Sequence, residues 1–198
     1  KKLNLNKILK SLIPLRVRDR FRFLKHPHYS FIRFCIKLQS RSRILTGPFS
    51  GMSFDVPNFN TAMLLGTWEM ELTETIAEFK EFNPSAIICI GAAEGYYAVG
   101  LALNFPNLKI DAFEQDIIYR DFLRDLAGKN HCTNVNILGK CDGQTLAKTL
   151  SKSGGTPLII CDIEGGEIDL LCIHDVPQLK SSFILVEVHE MYVEDCEK

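Results

Sequence analysis

The sequence lacks an apolar stretch long enough to cross a membrane, and it lacks paired cysteines. A transmembrane helix needs about 20 consecutive apolar residues, and no apolar run among the 198 residues approaches that length. The seven cysteines include no C-x-x-C pair, which argues against a zinc or disulfide framework and favours a reducing compartment. We therefore expect a cytoplasmic protein that can lie at the inner face of the membrane.

Acidic residues are almost absent from the first 43 positions. Residues 1–43 carry thirteen Lys or Arg and one acid, Asp19, a net charge of +12, whereas the remainder carries −13. Phenylalanines interleave with the arginines, as on a helix that rests on an anionic membrane. The alternatives are that the arm binds the phosphates of a nucleic acid or that it only packs over the rest of the protein. No nucleic-acid-binding motif is present. We divide the chain into a basic helical arm, residues 1–43, and one α/β domain, residues 44–198, and favour anionic membrane or glycan as the arm's partner.

After Pro84 the sequence alternates short apolar runs with helical patterns. Apolar strands joined by helices are typical of a parallel sheet that is covered on both faces. The sequence therefore predicts a Rossmann-like, doubly wound α/β fold, in which ligands bind beyond the carboxyl ends of the strands. The predicted strands are 86–90, 109–113, 134–138, 158–162 and 183–188, and the predicted helices are 67–82, 95–105, 116–129, 142–152 and 166–173, with strand-like pieces at 44–45 and 52–54.

The first strand of this series ends in a glycine-rich turn, G-A-A-E-G at residues 91–95. Glycine permits a left-handed backbone and removes the Cβ that would block a ligand, and the following helix N-terminus supplies unpaired N–H groups. A dinucleotide fingerprint would require glycine at Ala93 and Tyr96. The turn therefore suits a nucleoside without a pyrophosphate, for which S-adenosyl-L-methionine is the commonest ligand on this fold. A tight turn without a ligand is the alternative.

Acidic residues follow the next two predicted strands. Glu114 stands 23 positions after Gly91, where a carboxylate can bind the hydroxyls of a ribose. Asp142 follows the third strand, and there it can either accept a hydrogen bond from an adenine or cap the next helix. We expect Glu114 to bind the ribose, and both roles of Asp142 are open.

The segment at residues 162–167, D-I-E-G-G-E, resembles the D-x-E-G-x-E signature of the FkbM-type methyltransferases, a branch of the class I S-adenosylmethionine-dependent enzymes. Further landmarks of the resemblance are W-E at 68–69, the glycine-rich turn, A-F-E at 112–114 and V-E-V-H at 186–189. The resemblance covers about residues 44–198. It implies S-adenosyl-L-methionine as cofactor and methyl transfer to a hydroxyl of a sugar or small metabolite. It also implies a sixth and a seventh strand, so that the sheet is expected to be incomplete at the C-terminal end of this chain.

The chemistry is assigned to groups near the ends of the fourth and fifth strands. Methyl transfer from a sulfonium depends mostly on alignment and exclusion of water, and a base assists a hydroxyl acceptor. We predict His189 as the base because its ordinary pKa lies near neutrality, with Asp162 and Glu187 as further catalytic residues. With Glu190, these groups could bind a divalent cation, but no ligand spacing favours this and no metal is predicted. Cofactor contacts are predicted for Trp68, Glu69, Gly91, Ala92, Ala93, Glu94, Gly95, Glu114, Gln115, Asp142 and Asp162.

Some of these assignments have structural alternatives. Glu94 either faces the amino group of the methionine moiety or only places a negative charge at a helix N-terminus. Trp68 either lines the pocket or anchors a helix. Glu164 and Glu167 are expected to fix their loop through backbone hydrogen bonds. The predicted function is thus an S-adenosylmethionine-dependent O-methyltransferase. The alternative is a non-catalytic nucleoside-binding module that the basic arm recruits to an anionic membrane or polyanion.

Overall fold

The computed structural model describes residues 27–56 and 60–189. Most of the predicted basic arm, residues 1–26, lies outside the described residues, as does Glu190. The division of the chain at residue 43 therefore stays a prediction. No helix within the described ranges is long and apolar enough to cross a membrane.

Five parallel strands form a single sheet with the order β3-β2-β1-β4-β5. The register aligns Ile90 at the end of β1 with Phe113 on β2 and Cys161 on β4, so the carboxyl ends of these strands meet at one edge. The predicted Rossmann-like, doubly wound fold is confirmed. The strands are β1 (Ile87–Ile90), β2 (Ile110–Phe113), β3 (Val135–Leu138), β4 (Leu158–Cys161) and β5 (Phe183–Val186).

Helices cover both faces of the sheet because its central strands are apolar on both faces. In β1, Ile87 and Cys89 belong to one buried cluster, while Ile88 and Ile90 belong to the other, as the two-residue period of a strand requires. The helices are α1 (Pro27–Ser40), α2 (Thr61–Leu65), α3 (Thr73–Glu78), α4 (Tyr96–Asn104), α5 (Ile117–Lys129), α6 (Gly143–Lys152) and α7 (Glu167–Leu170), with 3-10 helices at Met70–Leu72 and Pro177–Ser181.

The segment before the sheet covers one of these faces. Phe49 and Phe54 are buried in the first cluster, and Asn130 at the end of α5 exchanges two hydrogen bonds of 2.8 Å with the backbone of Ser53. The strand-like pieces predicted at 44–45 and 52–54 pair with each other without forming regular strands: one antiparallel bridge joins Arg43 to Ser53, and the Ile44 N–H donates to the Met52 carbonyl at 2.9 Å. The apolar residues there pack into the core without extending the sheet.

Two predicted helices are shorter than the sequence pattern indicated. The helix expected over 67–82 begins as a 3-10 turn and is α-helical only over Thr73–Glu78, because Glu69 adopts a left-handed backbone (φ +47°) and makes no capping hydrogen bond. The helix expected over 166–173 ends at Leu170. The unpredicted α2 begins where the Asn60 side chain accepts a hydrogen bond from the Ala62 N–H.

Candidate functional site

The candidate site lies beyond the carboxyl ends of β1, β2, β4 and β5, as predicted for this fold. Three cavities adjoin there, of about 510, 270 and 250 Å3. We call the first the β2 cavity, because Glu114 and Gln115 line it, and the second the β5 cavity, because Leu185 and Glu187 line it. The third is the turn cavity, lined by the 91–94 turn. Gly91 and Asp162 line all three.

Glu114 joins the glycine-rich turn to the end of β2. Its Oε2 accepts a hydrogen bond of 2.8 Å from the Ala93 N–H, and its Oε1 accepts another of 2.8 Å from the Asp116 N–H. The N–H groups of Gly91 and Ala92 both donate to the carbonyl of Phe113 at 2.9 Å. Because an ionised carboxylate oxygen has two acceptor sites, Glu114 keeps capacity for further donors while both of its oxygens are held in place.

Gly91 is required by a close backbone approach. Its φ is +80°, and a Cβ at this position would lie 1.7 Å from the carbonyl oxygen of Asp162. The predicted left-handed glycine turn is confirmed. The missing side chain, however, makes room for the chain after β4 and not for a ligand. Gly95 (φ +101°) meets a similar limit, since its Cβ would lie 2.3 Å from a methyl group of Leu123 on α5.

Three residues of the site that are not glycine have left-handed backbones. They are Glu69 (φ +47°), Ala93 (φ +45°) and Glu164 (φ +60°), and all three line the turn cavity. Such conformations cost on the order of 1–3 kcal/mol each and concentrate at functional sites. The pattern supports a site in which backbone geometry positions the ligand contacts.

Glu69 and Trp68 both line the turn cavity, and Trp68 also packs against the main buried cluster, so both alternatives for Trp68 apply. The Tyr97 hydroxyl donates a hydrogen bond to the Glu69 carboxylate. Partial burial and this bond raise the pKa of Tyr97. No role was predicted for Tyr97, although its place just after the glycine-rich turn was a signal that could have found it.

The turn cavity is strongly acidic. Burial raises the pKa of Glu94, assisted by the charge of Glu114 and opposed by a backbone hydrogen bond. No Lys or Arg lines this cavity in the part of the chain that the structure describes. Its acids are Glu69, Glu94, Asp162, Glu164 and Glu187. A pocket of this charge suits a cationic ligand and disfavours a pyrophosphate.

His189 faces three carboxylates through one nitrogen of its ring. Its Nε2 lies 3.8 Å from Asp162 Oδ1, 3.6 Å from Glu164 Oε2 and 3.8 Å from Glu187 Oε1, beyond ordinary hydrogen-bond distance in each case. Asp162 and Glu187 are placed there by backbone bonds that extend the sheet past β4 and β5. The structure therefore brings the three predicted catalytic residues together.

Glu167 holds the other nitrogen of the same ring. Its Oε1 lies 3.0 Å from His189 Nδ1 and accepts hydrogen bonds from the N–H groups of Ile163 (3.0 Å) and Gly165 (3.2 Å). Burial raises the pKa of Glu167, but the hydrogen bonds that it accepts outweigh this and hold it below its usual value. An ionised Glu167 can only accept, so Nδ1 carries a proton and Nε2 is the titrating atom. The predicted loop-fixing role is confirmed for Glu167. The Glu164 side chain is 80% exposed, and the same role for Glu164 stays a prediction.

The cluster shifts the titration of both His189 and Asp162. Desolvation lowers the pKa of His189, but the hydrogen bond with Glu167 and the charges of Glu167, Glu187 and Asp162 prevail and raise it. Burial and the neighbouring charge of Glu187 raise the pKa of Asp162 to about 6, against the opposing effect of His189. The pKa of Asp162 therefore lies near the physiological range, and that of His189 is raised from its usual value.

The same cluster has the composition of a cation site. Asp162, Glu164 and His189 each offer a ligand atom, and these atoms lie within 4.8 Å of one another. Oxygen and imidazole ligands suit several divalent metals, but exposed acids are common without a cation. The expectation that no metal is used stays a prediction.

Asp142 lies at the margin of the site. Its side chain accepts a hydrogen bond of 2.8 Å from the Thr145 N–H and caps α6, and hydrogen bonds from Thr145 lower its pKa. The capping alternative is therefore confirmed. Its neighbours Lys140 and Cys141 line the β2 cavity, and a contact between Asp142 and an adenine stays a prediction.

Comparison with known proteins supports the fold. A hypothetical protein from Thermus thermophilus is similar over 79% of this chain and 91% of its own, with 10% identity and a TM-score of 0.53. This similarity concerns the fold alone. No protein-family model and no curated protein matches the chain.

Two further structures are more distant. Precorrin-6y C5,15-methyltransferase from Geobacter metallireducens GS-15 aligns with 51% of each chain at 21% identity, with a TM-score of 0.37. The candidate methyltransferase yhhF from Escherichia coli aligns with 72% of this chain and 74% of its own at 15% identity, with a TM-score of 0.43. At these TM-scores, neither similarity supports an inference about this chain.

Proposed function

We propose that this chain is an S-adenosyl-L-methionine-dependent methyltransferase that acts on a hydroxyl group. The observation that carries the proposal is the acidity of the turn cavity beside a carboxylate suited to a ribose. Glu114 is fixed at the end of β2 with spare acceptor capacity, and the adjoining cavity presents five acids and no Lys or Arg from the described residues. A nucleoside that carries a sulfonium and an ammonium group matches this arrangement, whereas a dinucleotide does not.

The residues present fit this cofactor. The β2 cavity, about 510 Å3, is within the range of roughly 300–1,000 Å3 that is typical of small-molecule sites. Glu114 would bind the ribose hydroxyls from this cavity, with Gln115 beside it. Glu69 and Glu94 would face the cationic end from the turn cavity. When bound, S-adenosyl-L-methionine supplies a methyl group already activated for displacement.

His189 provides the proton transfer that a hydroxyl acceptor needs. Its Nδ1–H donates to Glu167, so Nε2 is free to take the proton of the acceptor when the imidazole is neutral. Asp162 and Glu187 lie 3.8 Å from Nε2 and stabilise the imidazolium that forms. The half-buried setting limits water around the reacting groups. The acceptor class, a sugar or other small metabolite, and the FkbM-type affiliation rest on the motif at residues 162–167, whose second Glu is the residue that orients His189.

Cofactor binding is tested by calorimetry with S-adenosylhomocysteine on the parent and on Glu114→Gln. Glutamine has only one acceptor oxygen, so its NH2 group would face one of the two backbone N–H groups that now donate to Glu114. We therefore expect the binding of S-adenosylhomocysteine to weaken by about 1–3 kcal/mol. Glu78→Gln, on the exposed surface of α3, is the matched control and should bind like the parent. Binding of NAD with no binding of the adenosylated ligand would refute the proposal.

Turnover is tested separately with cofactor labelled on the methyl group and a panel of sugar nucleotides, glycolipid precursors and hydroxylated metabolites. A catalytic site should label at least one acceptor and lose that labelling in His189→Ala. Cofactor binding with no labelling of any acceptor would favour the non-catalytic binding module.

A further inference from the structure

Helix α1 presents an apolar face to solvent. Phe31, Phe34 and Leu38 are 65%, 61% and 68% exposed, and Ile32 between them is 52% exposed. The spacing i, i+3, i+7 places the first three on one side of the helix. Monomeric soluble proteins rarely expose contiguous apolar surface of this kind without a use for it.

The opposite side of α1 is attached to the domain. Ile36 packs against the main buried cluster, and Ser40 is buried. The Lys37 ammonium lies 2.5 Å from a carboxylate oxygen of Asp55, and the helix contacts α2. These contacts hold α1 against the domain and leave its apolar face turned towards solvent.

Basic residues dominate the sequence of this helix and the residues directly after it. Residues 27–43 include Arg33, Lys37, Arg41 and Arg43 and no acid, and the sequence before them is also basic, so that residues 1–43 carry a net charge of +12. Arg41 and Arg43 are exposed directly after α1. The occupant of the face must therefore offer both an apolar interior and negative charge, which is the chemistry of an anionic lipid surface.

We propose that α1 is an interfacial helix that inserts Phe31, Phe34 and Leu38 into the headgroup region of a bilayer containing anionic lipid. The neighbouring basic residues pair with the lipid phosphates. This proposal does not depend on methyl transfer, because it rests on a surface outside the three cavities.

The proposal is tested by flotation of the full chain with phosphatidylcholine vesicles, with or without phosphatidylserine, whose negative charge attracts basic segments. We expect binding to the anionic vesicles that weakens as salt is raised from about 0.1 to 0.5 M. Absence of binding, or equal binding to both vesicle types at all salt concentrations, would overturn the proposal.

A pair of variants separates insertion from charge. Phe31→Ser with Phe34→Ser should lower the partition coefficient by about tenfold for each Phe removed. Leu103→Ser, which removes an exposed apolar side chain from α4, should leave it unchanged. Parent-like binding by the Phe variant would show that the face does not insert. A parent that is dimeric by light scattering, and monomeric in the Phe variant, would show a self-association surface and would overturn the proposal.

Discussion

Replacing Asp162 by Asn should stabilise the fold while impairing the proposed activity. Burial, with the neighbouring charge of Glu187, raises the pKa of Asp162 from 3.8 to about 6, so the folded state binds a proton more tightly than the unfolded state. The stability that comes from protonation is fully present below about pH 4 and is lost as the pH rises through about 6. At pH 8 the parent holds an ionised Asp162 against Glu187 and Glu164, whereas Asn carries no charge.

The magnitude follows from the size of the shift and from the exposure of the group. An increase in the pKa from 3.8 to about 6 corresponds to an upper bound of about 3 kcal/mol in the free energy of unfolding. The Asp162 side chain is 49% exposed, and solvent screening reduces the expected gain to about 1 kcal/mol. For a chain of this size, that gain would raise Tm by about 2–4 °C.

The assay is urea unfolding of parent and Asp162→Asn at pH 8 and at pH 5. We expect the variant to be more stable at pH 8 and the difference to shrink at pH 5, where the parent carboxyl is largely protonated. Glu164→Gln changes an 80% exposed acid of the same loop and should alter stability by less than about 0.5 kcal/mol. A parent that is more stable than Asp162→Asn at pH 8, or a difference independent of pH, would refute the reasoning.

Three further predictions concern the site. His189→Ala should slow the chemical step by about 10²–10⁴-fold with cofactor affinity retained in calorimetry, and an unchanged single-turnover rate would exclude it as the base. Glu167→Gln should shift the acid limb of the pH–rate profile to lower pH, because the ionic partner that raises the pKa of His189 is lost, and it should cost roughly 1.5–3 kcal/mol in denaturant unfolding; an unmoved profile would contradict the orienting role. Gly91→Ala should destabilise the fold by more than about 2 kcal/mol in the same assay, since its Cβ would meet the Asp162 carbonyl oxygen at 1.7 Å, and parent-like stability would contradict the close approach.

The sheet could be predicted from the sequence because its strands are short and mostly apolar, and because the three central strands are buried along their whole length. Each predicted strand overlaps an observed one, and the amino-terminal bounds differ by at most one residue. The helix expected over 67–82 could not be placed, because its start depends on the left-handed backbone of Glu69, which has a hydrogen bond with Tyr97 on another helix. Nothing in the local pattern encodes that contact.

The candidate site was predictable in its members but less so in their roles. Strand ends bring Glu114, Asp162 and Glu187 to one edge, and this follows from a parallel topology alone. The partnership between Glu167 and His189 joins residues 22 positions apart, and it depends on how the loop after β4 folds back. The pKa shift of Asp162 likewise needs the three-dimensional distances, because its causes are burial and the charges of residues that follow β5 or lie on other loops.

The contact between Gly91 and Asp162 has a kinetic consequence. With no room for even a methyl group between the turn and the carbonyl of Asp162, the turn that would receive the nucleoside and the residue that would face the acceptor cannot move independently. Because the nucleoside would contact the turn directly, an ordered turn would also restrict Asp162, so that the bound nucleoside prepares the place of the acceptor. We expect initial-rate kinetics of a compulsory-order pattern, with the nucleoside adding before the acceptor.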